Sequence, residues 1–96
     1  MPAYVIVFVE VTDPVAYERY KALAPAAVSA AGGRYLVRGG EVTALEGQHD
    51  GRRVVVLEFP GLEAARSFYD GAAYREARAA RSGAARMTML LVPGLP

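Results

Sequence analysis

Short runs of β-branched and aromatic residues alternate along this chain with segments whose apolar residues recur at helical spacing. Residues 4–11 (YVIVFVEV) are apolar at nearly every position and too few for a helix, which predicts a strand buried on both faces. Asp13 and Pro14 are typical of a helix start, because Asp caps free N–H groups and proline lacks the N–H that a first turn leaves unpaired. The following apolar spacing predicts a helix over residues 14–31, kinked or split at Pro25.

The middle of the chain predicts two further strands. Residues 33–38 (GRYLVR) predict the second strand, which Gly39 and Gly40 interrupt as a bulge or bend would. Residues 42–46 then resume an extended course, so this strand is expected in two pieces. Residues 52–59 (RRVVVLEF) predict the third strand, joined to the second as a hairpin.

The remaining pattern completes one α+β domain over residues 1–96. Residues 62–71 predict a short amphipathic helix, residues 74–81 predict another turn or two, and residues 87–92 (MTMLLV) predict the last strand. The order β-α-β-β-α-β predicts the ferredoxin-like plan, with an antiparallel sheet and both helices on one face. In this interpretation the first and third strands are central and parallel to each other.

The second face of that sheet needs a cover. Residues 4–11 and 52–59 are apolar at nearly every position, so both faces are expected to be buried. The chain has 96 residues and is 53% hydrophobic, which leaves apolar surface that one small subunit cannot cover. We therefore expect a homodimer in which two sheets pack face to face as a barrel.

Composition excludes several classes of function. The chain has no cysteine, which rules out disulfides and thiolate chemistry, and without a signal peptide a cytoplasmic location is expected. The apolar runs are too short to span a membrane, and a net charge of +1 argues against nucleic-acid binding. His49 is the single histidine and lies in a turn, so neither a metal site nor a cofactor is expected. A small neutral or weakly anionic partner fits better.

Three charged residues interrupt the apolar strands: Glu10, Arg38 and Glu58. Strict alternation places Arg38 on the same face as Arg34 and Leu36. Two interpretations stay open for these charges: a solvated strand end or structural ion pair, and a charged group in a pocket that serves binding or proton transfer.

Two groups of residues on the predicted helices are further candidates. One consists of the tyrosines Tyr17, Tyr20, Tyr69 and Tyr74. Their phenols either point into a cleft or belong to core residues whose hydroxyls reach the surface. The other is an arginine stripe, either an anion site or a solvated helix face, formed by Arg75, Arg78 and Arg81.

Several short motifs occur in an order that resembles one known family over nearly the whole chain. They are Asp13-Pro14 ahead of Tyr17 and Tyr20, GGRYLVRGG at 32–40, Leu45-Glu46-Gly47, VVLEFP at 55–60, and Ala64-Ala65 ahead of Tyr69, Tyr74 and Arg78. This combination resembles the family catalogued as domain of unknown function 1330, of the dimeric α+β barrel superfamily. The chain departs from the family pattern at Ala73, which stands where an acid is usual.

The resemblance implies a fold but no established reaction. Relatives in the superfamily include cofactor-free monooxygenases, isomerases and cyclases. By position, the residues Arg38, Glu58, Tyr17, Tyr20, Tyr69 and Arg78 are expected to form a pocket. The leading hypothesis is that Arg38 orients an anionic or enolate oxygen and Glu58 moves a proton, in isomerisation, cyclisation or cofactor-free oxidation of a small organic acid or polyketide-like ring. The alternative is a non-catalytic dimeric binding or accessory protein, in which these charges form ion pairs.

Overall fold

A computed structural model describes all 96 residues of the chain. Its elements in chain order are β1 (Ala3–Val11), α1 (Pro14–Ala30), β2 (Arg34–Arg38), β3 (Arg53–Phe59), α2 (Leu62–Asp70), α3 (Ala72–Ala80) and β4 (Ala85–Pro93). The four strands form one sheet in the order β2-β3-β1-β4. The predicted α+β class and ferredoxin-like plan are therefore confirmed, with the second helical segment divided in two.

Every neighbouring pair of strands in the sheet is antiparallel, including the central pair β1 and β3. The prediction that these two strands run parallel is wrong. The crossover through α1 returns the chain to the sheet as β2, and the turn after β2 reverses its direction. β3 therefore enters between β1 and β2 with the opposite sense to both.

The two faces of the sheet differ in how well the chain covers them. On the face toward the helices, Val5, Val7 and Val9 of β1 are 6%, 4% and 2% exposed and belong to the hydrophobic core. On the other face, Tyr4, Ile6 and Phe8 are only half-buried. We call the first the helix-side face and the second the open face. The sequence predicts that β1 is buried on both faces. A single chain buries it fully on the helix-side face and only partly on the open face.

Helix α1 follows the predicted pattern closely. The Asp13 carboxylate accepts a hydrogen bond from the backbone N–H of Ala16 at 3.1 Å, which caps the helix start. The helix continues through Pro25 without the predicted split. It ends at Ala30, and Gly32 then takes a left-handed φ of 78° that turns the chain into β2.

Strand β2 differs from its prediction in two ways. Its pairing with β3 shifts between Tyr35 and Val37, so a bulge lies at Leu36 rather than at the glycine pair. Residues 42–46 form no strand and lie in an exposed loop. Arg38 already pairs with Val55, and β3 begins only two residues earlier, so little of β3 remains for them to pair with.

A break at Gly71 separates α2 from α3. A Cβ atom at this position would lie 2.8 Å from the Ser67 carbonyl oxygen, so the turn between the helices requires glycine. Because of this break, α3 packs against α1 and α2 packs over β1 and β4. Tyr74 of α3, 1% exposed, becomes one of the most deeply buried side chains of the core.

Gly33 should be far less tolerant of substitution than Gly40, although both flank β2. A Cβ at Gly33 would lie 2.4 Å from the ring of the buried Phe59, whereas a Cβ at Gly40 would meet nothing within 4 Å. We expect Gly33→Ala to lower the free energy of unfolding by about 1–3 kcal/mol through overpacking. Gly40→Ala is the matched control and should change it by less than about 0.5 kcal/mol. Urea unfolding measures both; equal effects would contradict the packing argument.

Candidate functional site

A tyrosine-rich cleft lies between α1, α3 and the helix-side face of the sheet. We call it the aromatic cleft, and its polar lining consists of Tyr17, Tyr20, Tyr35, Tyr74, Arg38 and Arg53, together with Lys21. The remaining lining is apolar and comes from all three layers, including Met87 and Met89 of β4. Its internal space is about 50 Å³, so the cleft is narrow.

The tyrosines meet because helical and strand spacing bring them to one place. Tyr17 and Tyr20 are three residues apart on α1, and their rings stack with centroids 5.3 Å apart. The hydroxyl of Tyr20 lies 2.6 Å from that of Tyr74, which itself lies 3.5 Å from Met89 Sδ. Either phenol can donate in the bond between Tyr20 and Tyr74. The phenols thus form a short chain that ends on β4.

Three phenols of the cleft, those of Tyr17, Tyr20 and Tyr35, stay protonated at neutral pH. Burial raises the pKa of Tyr17 and of Tyr35 above the ordinary tyrosine value. The pKa of Tyr20 is raised most strongly, first by burial and then by the charge and hydrogen bond of Tyr74. Tyr17 and Tyr35 are therefore available as neutral hydrogen-bond donors rather than as bases, whereas the Tyr20 hydroxyl is already hydrogen-bonded to Tyr74.

Positive charge flanks the cleft without a matching carboxylate in its lining. The Arg38 guanidinium carbon lies 4.5 Å above the centre of the Tyr35 ring. The Arg53 guanidinium packs against the backbone at Gly39, where an added Cβ would lie 2.5 Å from it. Burial raises the pKa of Tyr17, and the positive charges of Arg53, Arg81 and Arg38 lower it by smaller amounts. No Asp or Glu lines the cleft, so its field favours an anion.

The bulge at Leu36 decides the position of Arg38. Arg34 pairs across the sheet with Glu58 on the open face, while Arg38 pairs with Val55 on the helix-side face. The predicted grouping of Arg38 with Arg34 is therefore wrong, because the extra residue reverses the alternation.

The structure does not bring Glu58 to Arg38. The Glu58 carboxylate accepts a hydrogen bond from Arg34 Nε at 2.8 Å on the open face, and its bond with Tyr4 raises the pKa of that phenol. Glu10 is also on the open face, 2.7 Å from an Arg86 nitrogen. The ion-pair interpretation thus describes both carboxylates, and the catalytic pairing of Glu58 with Arg38 has no geometric support.

Two other expected site residues lie beside the cleft rather than in it. The Arg78 guanidinium carbon lies 4.2 Å from the Tyr69 ring centre, and Arg78 Nε is buried without a hydrogen-bond acceptor. Tyr69 lines a second, larger cavity, the α2–β4 cavity, between α2 and strand β4. Arg78 is half-buried, so the solvated-stripe interpretation holds for the exposed Arg75 but not for Arg78.

Sequence reasoning missed Tyr35 and Arg53 as lining residues. Arg53 shares the alternation of Val55, Leu57 and Phe59, so counting along β3 would have placed it on the helix-side face. No comparable signal existed for Tyr35, because its relation to Arg38 depends on the bulge.

Other kinds of site have less support. No group of three or more His, Asp or Glu side chains converges as a metal site would require. His49 lies in the exposed loop, with Nε2 2.9 Å from the carbonyl oxygen of Arg52. None of the three helices is long and apolar enough to cross a membrane.

The sequence matches the family described as domain of unknown function (DUF1330) over residues 2–95. The chain belongs to this family. The predicted membership is therefore confirmed. No curated protein shows a significant match to the chain.

Solved structures with the same fold include proteins of known and unknown function. A protein of unknown function from Rhodopseudomonas palustris is 22% identical, with a TM-score of 0.74 over 99% of this chain and 83% of that one. A dimeric ferredoxin-like protein of unknown function from Jannaschia sp. is 14% identical, with a TM-score of 0.67 over 98% and 100%. SnoaB, a cofactor-independent oxygenase from Streptomyces nogalater, is 13% identical, with a TM-score of 0.62 over 99% and 94%. At these identities the likeness shows the fold alone.

The raised pKa values of the cleft phenols predict a loss of stability at alkaline pH. Above the ordinary tyrosine pKa of 10.0, the unfolded chain loses phenolic protons that the folded chain retains, so the free energy of unfolding falls as pH rises. Each phenol that stays protonated in the folded chain contributes up to about 1.4 kcal/mol per pH unit to this fall in the free energy of unfolding. Tyr20→Phe should make the fall shallower, measured by urea unfolding between pH 8 and about 11.

Tyr69→Phe is the matched control for that experiment, because Tyr69 is 40% exposed and lies outside the cleft. This variant should keep the pH dependence of the wild type. If the free energy of unfolding of Tyr20→Phe also falls with pH as steeply as that of the wild type, the loss of stability at alkaline pH does not come from the cleft.

Proposed function

We propose that the aromatic cleft binds the anion of a small organic acid, with Arg38 at its anionic or enolate oxygen. The observation that carries the proposal is the combination of flanking guanidinium groups, neutral buried phenols and no carboxylate in the lining. A carboxylate or enolate would replace water as the partner of Arg38 and accept hydrogen bonds from the phenols.

The size of the cleft restricts the ligand. A space of about 50 Å³ accepts a carboxyl group and a few further atoms, whereas typical sites for drug-sized ligands hold about 300–1,000 Å³. The rest of a bound acid would lie along the exposed Arg38 and Arg53 side chains at the mouth. For this cleft we therefore favour a small organic acid over a polyketide-like ring.

The chemistry available in the cleft is stabilisation of an oxyanion without a protein base. Glu58 lies on the open face, the cleft contains no histidine, and the phenols hold their protons. An enzyme of this type would accelerate reactions of acids that enolise readily: solvent water takes the α-proton, and Arg38 and the phenols lower the energy of the enolate. Isomerisation, in which water returns the proton to another atom, fits that requirement, and so does oxidation of the enolate by molecular oxygen. SnoaB, a neighbour in fold, is a cofactor-independent oxygenase.

The absence of a base also favours the second candidate function, a non-catalytic binding or accessory protein. In that case the cleft holds the acid without changing it. Acetoacetate distinguishes the two, because proton NMR follows both its binding and the exchange of its α-protons with deuterium. Exchange faster than in buffer supports the enzyme; saturable binding with unchanged exchange supports the accessory protein.

Arg38 should control affinity for the acid, and Arg34 should not. Both arginines lie on β2, but the bulge places them on opposite faces of the sheet. We expect Arg38→Met to weaken acetoacetate binding about tenfold or more, since a hydrogen bond to a charged group contributes about 1.5–3 kcal/mol. Arg34→Met is the matched control and should bind as the wild type does. Equal affinities of the two variants, measured by NMR titration, would refute the role of Arg38.

We further propose that the open face is the interface of a homodimer. Its centre is apolar, where Ile6 of β1 lies between Val56 of β3 and Leu90 of β4. Two ion pairs flank this centre, Arg34 with Glu58 and Arg86 with Glu10. The charges balance, so a second copy meets no like-charged field, and the neighbours from Jannaschia and Bacteroides fragilis are described as dimeric.

A charge in the centre of the open face should dissociate that dimer. Leu90 is 51% exposed in one chain, and Leu90→Glu would bury a carboxylate without a partner in the interface. Val15→Glu, at an 85% exposed position on α1, is the matched control. Native mass spectrometry should show a monomer for Leu90→Glu and a dimer for the wild type and Val15→Glu. A dimeric Leu90→Glu with a wild-type circular dichroism spectrum would argue against this interface.

A further inference from the structure

The α2–β4 cavity is larger than the aromatic cleft and separate from it. It has a volume of about 370 Å³ and lies under α2, against the edge strand β4 and beside the end of α3. The two spaces share only Met87 and Met89 among their lining residues, so the methionines form a wall between them. The volume falls within the usual range for small-molecule sites.

The cavity exists because the helix above it presents a small residue. Ala65 of α2 is 2% exposed and faces the sheet, so α2 does not fill the space over Val5 and Leu91. The aromatic rings of Phe68 and Tyr69 form part of the lining. A space bounded by aromatic rings on one side and thioethers on the other suits a flat apolar group.

Arg81 gives the cavity a polar anchor. Its guanidinium carbon lies 5.6 Å from the Tyr20 ring centre, and its Nε is buried with no hydrogen-bond acceptor in the chain. The rest of this half-buried side chain lines the cavity, so Arg81 is the positive group that a ligand would meet beside the buried rings. Two other charged residues, Arg66 and Asp70 of α2, line the cavity and are exposed, which leaves the lining with one positive charge in excess.

We propose that the α2–β4 cavity is a second binding site, for a planar aromatic molecule that carries one carboxylate. The ring lies between α2 and the methionines of β4, and the carboxylate accepts a hydrogen bond from Arg81. This site takes the larger ring that the aromatic cleft is too small to hold. The proposal does not depend on the small-acid site at Arg38.

The three methionines of the chain provide a direct readout. Protein labelled with ¹³C at the methionine methyl groups gives separate signals for Met87 and Met89, which line the cavity, and for Met1, which is 72% exposed and lies outside it. Titration with 2-naphthoate up to about 1 mM should shift the Met87 and Met89 signals saturably and leave Met1 unchanged. 2-Naphthamide, which is neutral, should bind about tenfold more weakly or worse.

Matched variants assign the bound molecule to the cavity. Arg81→Met and Ala65→Leu should each weaken 2-naphthoate binding about tenfold or more, the first by removing the anchor and the second by filling the space. Arg75→Met, an exposed arginine on the same helix, and Arg38→Met, in the other site, should bind 2-naphthoate as the wild type does. If Ala65→Leu fails to fold, Arg81→Met alone carries the test.

Three results would overturn the proposal. One is the absence of saturable Met87 and Met89 shifts in the wild type. Another is equal affinity of Arg81→Met and Arg75→Met, which would remove Arg81 as the anchor. The third is loss of 2-naphthoate binding in Arg38→Met, which would place the ring in the aromatic cleft. Because acetoacetate reports on Arg38 and 2-naphthoate on Arg81, the failure of either site is separately visible.

Discussion

The pairing register between β2 and β3 determines which charged groups of this protein can meet. A single extra residue, Leu36, divides β2 into two parts with opposite alternation. Before the bulge, Arg34 faces away from the helices and pairs with Glu58; after it, Arg38 faces the tyrosines of α1. Without the bulge, both arginines would lie on one face and the aromatic cleft would lose the charge of Arg38.

A continuous series of aromatic contacts joins the core to that cleft. Ring centroids are 5.0 Å apart between Phe59 and Phe68, 4.3 Å between Phe68 and Tyr74, and 6.1 Å between Tyr74 and Tyr20. The series runs from the sheet through α2 and α3 to α1, so the rings that line the cleft also hold the layers together. The hydroxyls of the cleft are therefore held in place by core packing.

Charge and burial are divided between the two faces of the sheet. No charged residue of the chain is fully buried, and the four ion pairs are all at least partly exposed, so they contribute little to the stability of a single chain. On the open face the paired charges leave an apolar centre that suits a second copy. On the helix-side face the unpaired arginines and neutral phenols suit anions. The fold is shared with proteins of several functions, and the specific chemistry lies in these few side chains.

The sequence by itself determined the fold class, the capped start of α1, the family and every element that the structure contains, although it also predicted an extended piece at residues 42–46 that does not form. The correct predictions follow from local spacing and from motifs that need no tertiary contact. It also selected Arg38, Tyr17 and Tyr20 as site residues. Only the tertiary structure decided that Glu58 belongs to the opposite face, that Tyr35 and Arg53 join Arg38, and that residues 42–46 have no strand to pair with. Alternation along a strand predicts the face of a side chain only while the register is unbroken. Where two strands pair out of step by one residue, the hydrogen bonds between them, and not the order of residues along either one, decide where each side chain lies.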